Sequence, residues 1–108
     1  MKLEAINQGL DKAVQTERIQ HLAAADGPWA VLHPEPEAVI VTVGEVKNTS
    51  GVEQLLLRRW QEPARYGMWL PLLMRDGQLA VACHRPRRRG EVEHLSEADW
   101  ASLMELLQ

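Results

Sequence analysis

The sequence predicts an α+β fold, in which helices and short strands follow one another in the order helix, two strands, helix, two strands, helix. Runs rich in valine, isoleucine and leucine occur in pairs, with turn residues between the members of each pair, which is typical of β-hairpins. The remaining stretches repeat apolar residues every three or four positions, as amphipathic helices do. We therefore expect a small antiparallel sheet packed with helices.

Length and composition indicate one folded domain, spanning residues 1–108. Hydrophobic residues make up 45% of the chain and charged residues 25%, values typical of globular proteins rather than of disordered ones. A chain of 108 residues can build one hydrophobic core of modest size, and too few residues remain for a second domain.

Charge and targeting features argue against nucleic acid and membranes as partners. The formal net charge is −3, and without the arginines at positions 85, 87, 88 and 89 it would be −7, with 8 basic against 15 acidic residues. Such a surface repels phosphate backbones. The N-terminal run MKLEAINQGLDKAVQ lacks the apolar core of a signal peptide, and no stretch approaches membrane-spanning length. Because the single cysteine, Cys83, excludes an intrachain disulfide, we expect a cytoplasmic protein.

The periodicity predicts a first helix over residues 2–24. Its main apolar face consists of Leu3, Ile6, Leu10, Ala13 and Val14. Ile19 and Leu22 fall on a different face, so the helix either bends or packs its second half against something else, such as a second chain. The ADGP run at 25–28 ends it, since proline cannot continue a helix.

Two β-rich runs, 29–33 and 38–44, predict a hairpin around the intervening PEPE sequence. Alternation in the second run places Val39, Val41 and Val43 on one side, and Ala38, Ile40 and Thr42 on the other. Both sides are largely apolar.

Serine caps predict the starts of the other two helices. Ser50, with Glu53 three residues later, forms a capping-box pattern, and Pro63 marks the end of that helix. The expected apolar side of this helix consists of Val52, Leu55, Leu56 and Trp60. Ser96 is the expected N-cap of the last helix, whose apolar stripe consists of Trp100, Leu103, Met104 and Leu107.

Asp76-Gly77 predicts a second hairpin, because this dipeptide favours a two-residue type I′ turn. Such a turn pairs Arg75 with Gln78. It places Leu70, Leu72, Met74, Leu79, Val81 and Cys83 on one face. The opposite face then carries Trp69, Pro71, Leu73, Ala80 and Ala82, and both faces are apolar.

The two-sided apolar strands predict a protein-binding surface. One face of a four-stranded sheet can be covered by the three helices, but a chain of this size has little left for the other. A second copy or another protein would cover it, with Trp69 as the anchor and Pro71, Leu73, Ala80 and Ala82 around it. Division of the helices between both faces is the alternative.

No catalytic, metal or cofactor site is expected from the residues. The histidines are scattered, and Cys83 and His84 are neighbours in a predicted strand, so their side chains point to opposite faces. Cys83 falls on an apolar face, where cysteine is usually a small buried side chain rather than a nucleophile. The sequence contains no phosphate loop, dinucleotide fingerprint or HExxH motif.

The arginine run that follows Cys83 allows more than one interpretation. Pro86 is expected to end the strand, leaving Arg85, Arg87 and Arg88 in or beside a loop that leads to the last helix. That loop is either simply solvated or docks an acidic partner near the apolar face. Nucleic-acid binding is disfavoured, because the run is short, lacks a neighbouring aromatic residue and precedes the acidic EVEH sequence.

The C-terminal half resembles the class I chaperones of bacterial type III secretion. The segment GMWLPLLMRDGQLAVACHRP, followed by EHLSEADWASLMELL, is similar to the family pattern of a Gly-x-Trp-Leu strand, a second strand and a last helix opened by Leu-Ser. The resemblance implies an α+β protein, usually a homodimer. It also implies binding of an extended segment of a secreted effector in the cytoplasm, without cofactor or catalysis.

One departure from the family pattern leaves a second function open. Family members often carry a further strand before the middle helix, whereas here only residues 45–47 are left for one. A reduced sheet would also suit a chaperone-like regulator of plant-associated secretion clusters, which the chain resembles too. Its partner would be a secretion regulator, and it would form either a homodimer or a heterodimer with a chaperone-like protein.

Overall fold

The computed structural model describes residues 1–24, 27–45 and 52–107. This part of the chain is mixed α+β, as predicted. Its elements are α1 (Leu3–Thr16), β1 (Gln20–Ala23), β2 (Pro28–Pro34), β3 (Ala38–Glu45), α2 (Val52–Gln61), α3 (Pro63–Tyr66), β4 (Leu70–Leu73), β5 (Leu79–Arg88), β6 (Glu91–Val92) and α4 (Glu97–Leu106).

The strands form an antiparallel sheet in the order β1-β2-β3-β5-β4, and β6 pairs with the far end of β5. β1 and β4 are therefore the two edges of the main path. The expected sheet of four strands was too small, because β1 and β6 come from segments predicted as helix and loop. The predicted β2–β3 hairpin is confirmed, with Leu32 opposite Val41.

The hydrophobic core lies between one face of this sheet and the helices. Val39, Val41 and Val43 are fully buried there together with Ile6 and Leu10 of α1. Helix α1 packs so closely on β2 that a Cβ atom on Gly9 would lie 2.6 Å from Cδ1 of Leu32. Leu55 of α2, Tyr66 of α3 and Leu103 of α4 belong to the same core, so the alternative in which the helices divide between both faces is wrong.

The first helix is shorter than predicted. It ends at Thr16, and Glu17 adopts a left-handed conformation, with φ 52°, that turns the chain into β1. Leu22 is half-buried and points to the core, as one of the two side chains nearest to Gly9, whereas Ile19 is exposed in the connection. Leu22 thus departs from the α1 face because it alternates in a strand, and Ile19 departs because the helix has already ended, rather than because a helix bends.

The β4–β5 hairpin has a different turn and register from those predicted. The Met74 carbonyl accepts from the amide of Gly77 at 2.9 Å, and the Met74 amide donates to the carbonyl of Gln78 at 2.8 Å. The loop is thus three residues long, with Gly77 at φ 84°, which is the three-residue hairpin closed by a glycine bulge. Leu72 consequently lies opposite Ala80, and Leu73 opposite Leu79.

β5 continues through Pro86 to Arg88, so the prediction that Pro86 ends the strand is wrong. The Pro86 carbonyl accepts from the amide of Glu93 at 2.9 Å. The N and the C=O of one strand residue point to the same side. Pro86 therefore turns its nitrogen away from β3, and its missing N–H removes no hydrogen bond between β5 and β3. Arg89 and Gly90, with φ 55° and 80°, then form a tight turn into β6.

The predicted cap of the last helix is confirmed. The Asp99 amide donates to Oγ of Ser96 at 3.0 Å, and the Ser96 amide donates to Oδ2 of Asp99 at 3.2 Å. Pro63 follows α2 and occupies the first turn of α3. The predicted cap at Ser50 lies outside the described residues, as do positions 46 and 47 of the possible further strand.

Candidate protein-binding surfaces

The sheet face turned away from the helices carries an apolar surface, here named the open face. It alternates along each strand with the core residues, and the antiparallel register aligns its side chains in rows across the sheet. The open face consists of His21, Ala23, Trp29, Val31, His33, Ile40, Thr42, Gly44, Leu70, Leu72, Ala80, Ala82 and His84.

Two rows form the centre of the open face. The first contains Ala23, Trp29, Gly44, Ala80 and Leu72, and the second contains His21, Val31, Thr42, Ala82 and Leu70. In both rows the side chains on β2 and β4 are large, and the side chains on β3 and β5, which lie between them, are small. Three strand spacings separate β2 from β4, or about 14 Å. The arrangement forms a shallow apolar channel.

Trp29 forms one wall of the channel and lies across Gly44. A Cβ atom on Gly44 would come within 2.4 Å of Cζ2 of the indole, so a side chain at this position would displace the ring. Ala80, the next residue in the row, is fully buried. On the other side, Leu70 and Leu72 are 47% and 39% exposed. Solvent therefore reaches the apolar walls, while the floor is made of small residues.

The free edge beside this surface is protected against strand pairing. Nε of Arg59 donates to the Trp69 carbonyl at 3.0 Å, and Pro71 in β4 has no N–H to offer. Both features discourage the addition of another strand to β4. A partner would therefore contact the side chains of the open face rather than extend the sheet at β4.

The residues predicted to form the partner surface are not all on one side of the sheet. Trp69 is fully buried in the core, where its Nε1 donates to Oγ of Ser102 at 3.3 Å, so its prediction as an exposed anchor is wrong. Pro71 and Leu73 lie on the helix side, opposite Val81 and Leu79. Only Ala80 and Ala82 of the predicted hairpin set belong to the open face, because the bulged turn shifts the register by one residue.

The sequence interpretation missed the walls of the channel, Trp29, Val31, Leu70 and Leu72. A signal for the first two was present, since Trp29 and Val31 alternate with Ala30 and Leu32 in a run that is apolar throughout. Leu70 and Leu72 could be assigned to the open face only with the correct length of the loop between β4 and β5, which is three residues rather than the predicted two.

The arginines serve two different roles. Arg85 is 8% exposed, and its guanidinium lies 3.0 Å from Oε1 of Glu93. Arg87 donates to the Glu35 carbonyl at 2.7 Å and to Oε2 of Glu17 at 3.1 Å. This hydrogen bond lowers the pKa of Glu17 and raises the pKa of Arg87. Arg85 and Arg87 thus join elements of the fold, whereas Arg88 is exposed at the turn into β6.

Cys83 is buried in β5 on the core side. Desolvation by burial raises the pKa of this thiol to about 12, which keeps it protonated at neutral pH. Among the described residues, no group of three histidine, cysteine or acidic side chains is arranged to hold a metal ion.

Helix α2 presents a second apolar surface, here named the α2 ridge and formed by Leu56, Leu57 and Trp60. The expected apolar side of this helix was only partly correct, since Leu55 is 1% exposed whereas Leu56 and Trp60 are 47% and 84% exposed.

No protein-family model matches the chain, and neither a curated protein nor a solved structure does. Within the described ranges, no helix has the length and apolar character needed to cross a bilayer.

Proposed function

We propose that this protein is a cytoplasmic, protein-binding chaperone of a bacterial type III secretion system. It would hold a segment of a secreted effector in an export-competent form. The open face supports the binding role, and the resemblance of the C-terminal half to class I chaperones supports the secretion context.

The observation that carries the proposal is the apolar channel between Trp29 and Leu72, with Leu70 and Leu72 exposed on one wall. A solvated sheet face normally carries polar side chains, yet the two central rows of this one are apolar apart from Thr42 and His21. Contiguous apolar patches mark interaction sites in soluble proteins. Completing the burial of Leu70 or Leu72 would contribute about 1 kcal/mol each, since full burial of a leucine is worth about 1.5–3 kcal/mol.

The shape of the channel supports an expectation about the segment that would bind. Its small-residue floor leaves room for one polypeptide segment lying on the sheet, with apolar side chains directed at the walls. A third row, with His33 and His84 on either side of Ile40, forms a more polar boundary at one end. We therefore expect the bound segment to be apolar at its centre and polar where it leaves the channel.

The test is co-expression with the exported proteins of a secretion cluster, followed by pull-down, using two matched variants. Leu72→Gln alters the open face, and Leu73→Gln alters its exposed neighbour on the opposite face. We expect the wild type and Leu73→Gln to capture an exported protein and Leu72→Gln to lose it. Equal capture by the two variants, or no capture of any exported protein by the wild type, would contradict the proposal.

A regulatory role would give a different result in the same experiment. The captured protein would then be a transcriptional activator or antiactivator that is not exported. Deletion of the gene would change transcription of secretion genes rather than export of one effector. This outcome would support the regulatory function instead of the chaperone function.

A further inference from the structure

The ionisable side chains of the open face, as defined above, are all histidines. Three of the four histidines in the chain lie on it, His21 on β1, His33 on β2 and His84 on β5. All three are exposed. The other residues that define the open face are apolar residues, a glycine and a threonine. Within the described part of the chain, the charge of this surface therefore depends on its histidines.

The strand register places these histidines around the apolar centre of the open face. His33 and His84 lie on the two sides of Ile40, so that one row crosses three strands as histidine, isoleucine, histidine. Two strand spacings separate the two histidines, or about 10 Å. His21 lies opposite Val31 and diagonal to His33. A polypeptide segment lying over Val31 and Ile40 would therefore also cover part of the three imidazole rings.

The charged groups that adjoin these histidines lie at the margin of the open face. Oε1 of Glu35, in the turn after β2, lies 3.7 Å from Nε2 of His33. Arg88 points to the same side of β5 as His84, further along the strand, and lies opposite Glu91 of β6. The neighbouring positions on β3 and β4 carry uncharged side chains. Of the described carboxylates, only that of Glu35 is within ion-pair distance of one of the three rings.

Histidine changes its charge in the pH range in which proteins work. The side chain is mostly neutral at about pH 7.5 and mostly positive at about pH 5.5. A neutral imidazole tolerates an apolar segment lying against it, whereas an imidazolium loses favourable hydration when it is covered. Covering the open face thus opposes protonation of its histidines. Protonation must then oppose covering to the same extent, because the two equilibria are linked.

We propose that the open face is a pH-controlled binding surface, which holds an apolar segment while its histidines are neutral and releases it when they take up protons. This regulation rests on the binding function proposed above for the same face. The affinity falls as the pH falls through the range in which histidine titrates. Each covered histidine should weaken binding about two- to threefold, which gives a loss of roughly tenfold for three that act independently.

Titration of the full chain with Nile red tests the regulation. This dye is uncharged and apolar, and its fluorescence rises in apolar surroundings, so its own charge does not respond to the pH. The titrations are made at about pH 7.5 and about pH 5.5. Leu72→Gln, in the wall of the channel, defines the share of the dye that binds there. A wild-type titration that Leu72→Gln leaves unchanged would contradict an accessible apolar channel, on which the regulation depends.

The test variant combines His21→Gln, His33→Gln and His84→Gln, since glutamine is polar and stays uncharged at both pH values. The control is His94→Gln, which removes the fourth histidine, whose Nε2 lies 2.8 Å from Oδ1 of Asp11 on α1. We expect the wild type and the control to bind the dye in the channel roughly tenfold more weakly at the lower pH. The triple variant should bind it equally at both, and His84→Gln alone should show an intermediate loss.

Three results would overturn the regulation. They are equal binding by the wild type at the two pH values, tighter binding at the lower pH, or the same loss in the triple variant as in the wild type. The last result would also reveal a loss caused by acid unfolding, since the triple variant would then lose binding too. Circular dichroism at both pH values should be the same for the wild type and the triple variant, because the three histidines are exposed.

The pull-down separates this inference from the proposed function. If the wild type captures no exported protein, the proposed function fails, while the dye titration still measures the response of the open face to pH. If the wild type captures an exported protein and retains it at the lower pH, the regulation fails and the proposed function stands. We expect acidification to elute the captured protein from the wild type but not from the triple variant.

Discussion

The two faces of the sheet are both apolar, but they differ in the sizes of their side chains. The helix side has Val41, Val43 and Val81 at its centre, all fully buried. The open face has Gly44 and Ala80 at the corresponding positions. Large side chains fill the space under the helices at the density of a protein interior. On the open face, the small residues of β3 and β5 instead leave a channel between the larger side chains of β2 and β4.

The largest difference between the faces should appear when a tryptophan is removed from each. Trp69→Ala empties the core side and should lower the free energy of unfolding by about 3–5 kcal/mol. Trp29→Ala, on the half-buried wall of the open face, should cost distinctly less. Urea denaturation of both variants measures the difference, and equal losses would mean that the two faces are not distinct in packing.

Gly44→Ala tests the close packing of the Trp29 indole on Gly44 in the open face. The added methyl group would meet the Trp29 indole, so we expect a loss of about 1–3 kcal/mol from overpacking. In a Trp29→Ala background the same change should be neutral or stabilising, since alanine suits a strand better than glycine does. A double-mutant cycle by urea denaturation gives the coupling, and additive effects would rule out the contact.

The smallest effect concerns the ion pair between Glu17 and Arg87, which joins the end of α1 to β5. Because the pairing lowers the pKa of Glu17 in the folded state, it adds stability above the ordinary pKa of a glutamate, and that stability is lost as the pH falls through the lowered value. Unfolding midpoints at neutral and acidic pH should therefore differ less for Glu17→Gln than for the wild type. Arg87→Gln removes the other partner of this ion pair and should reduce the pH dependence to the same extent. An undiminished dependence in either variant would contradict the role of the pair.

Local sequence patterns predicted the fold class and most of its helices and strands. They did not predict the end of α1, which depends on the conformation of one residue. The β2–β3 hairpin and the Ser96 cap follow from alternation and from side-chain hydrogen bonding, both of which act within a few residues. Residues 20–23 were predicted as helix because their apolar positions suit either period, and the left-handed turn at Glu17 is held by an arginine 70 positions away.

Of the hairpin residues predicted for the partner surface, Ala80 and Ala82 lie on the open face, whereas Trp69, Pro71 and Leu73 do not. The interpretation that two-sided apolar strands need an external partner stays a prediction, now placed on the open face. Its anchor was misplaced because Asp76-Gly77 closes a three-residue loop, and a shift of one position exchanges the two faces of a strand. Trp69 thereby belongs to the core, and Leu70 and Leu72 belong to the channel.

The sequence by itself determined that the chain is mixed α+β and that its strands are largely apolar on both sides. These properties follow from composition and short-range periodicity. The tertiary structure alone decided which face is covered, that Trp60 rather than Trp69 is exposed, and that Arg85 and Arg87 join parts of the fold. Those outcomes depend on strand register and on contacts between distant residues, which no local pattern contains.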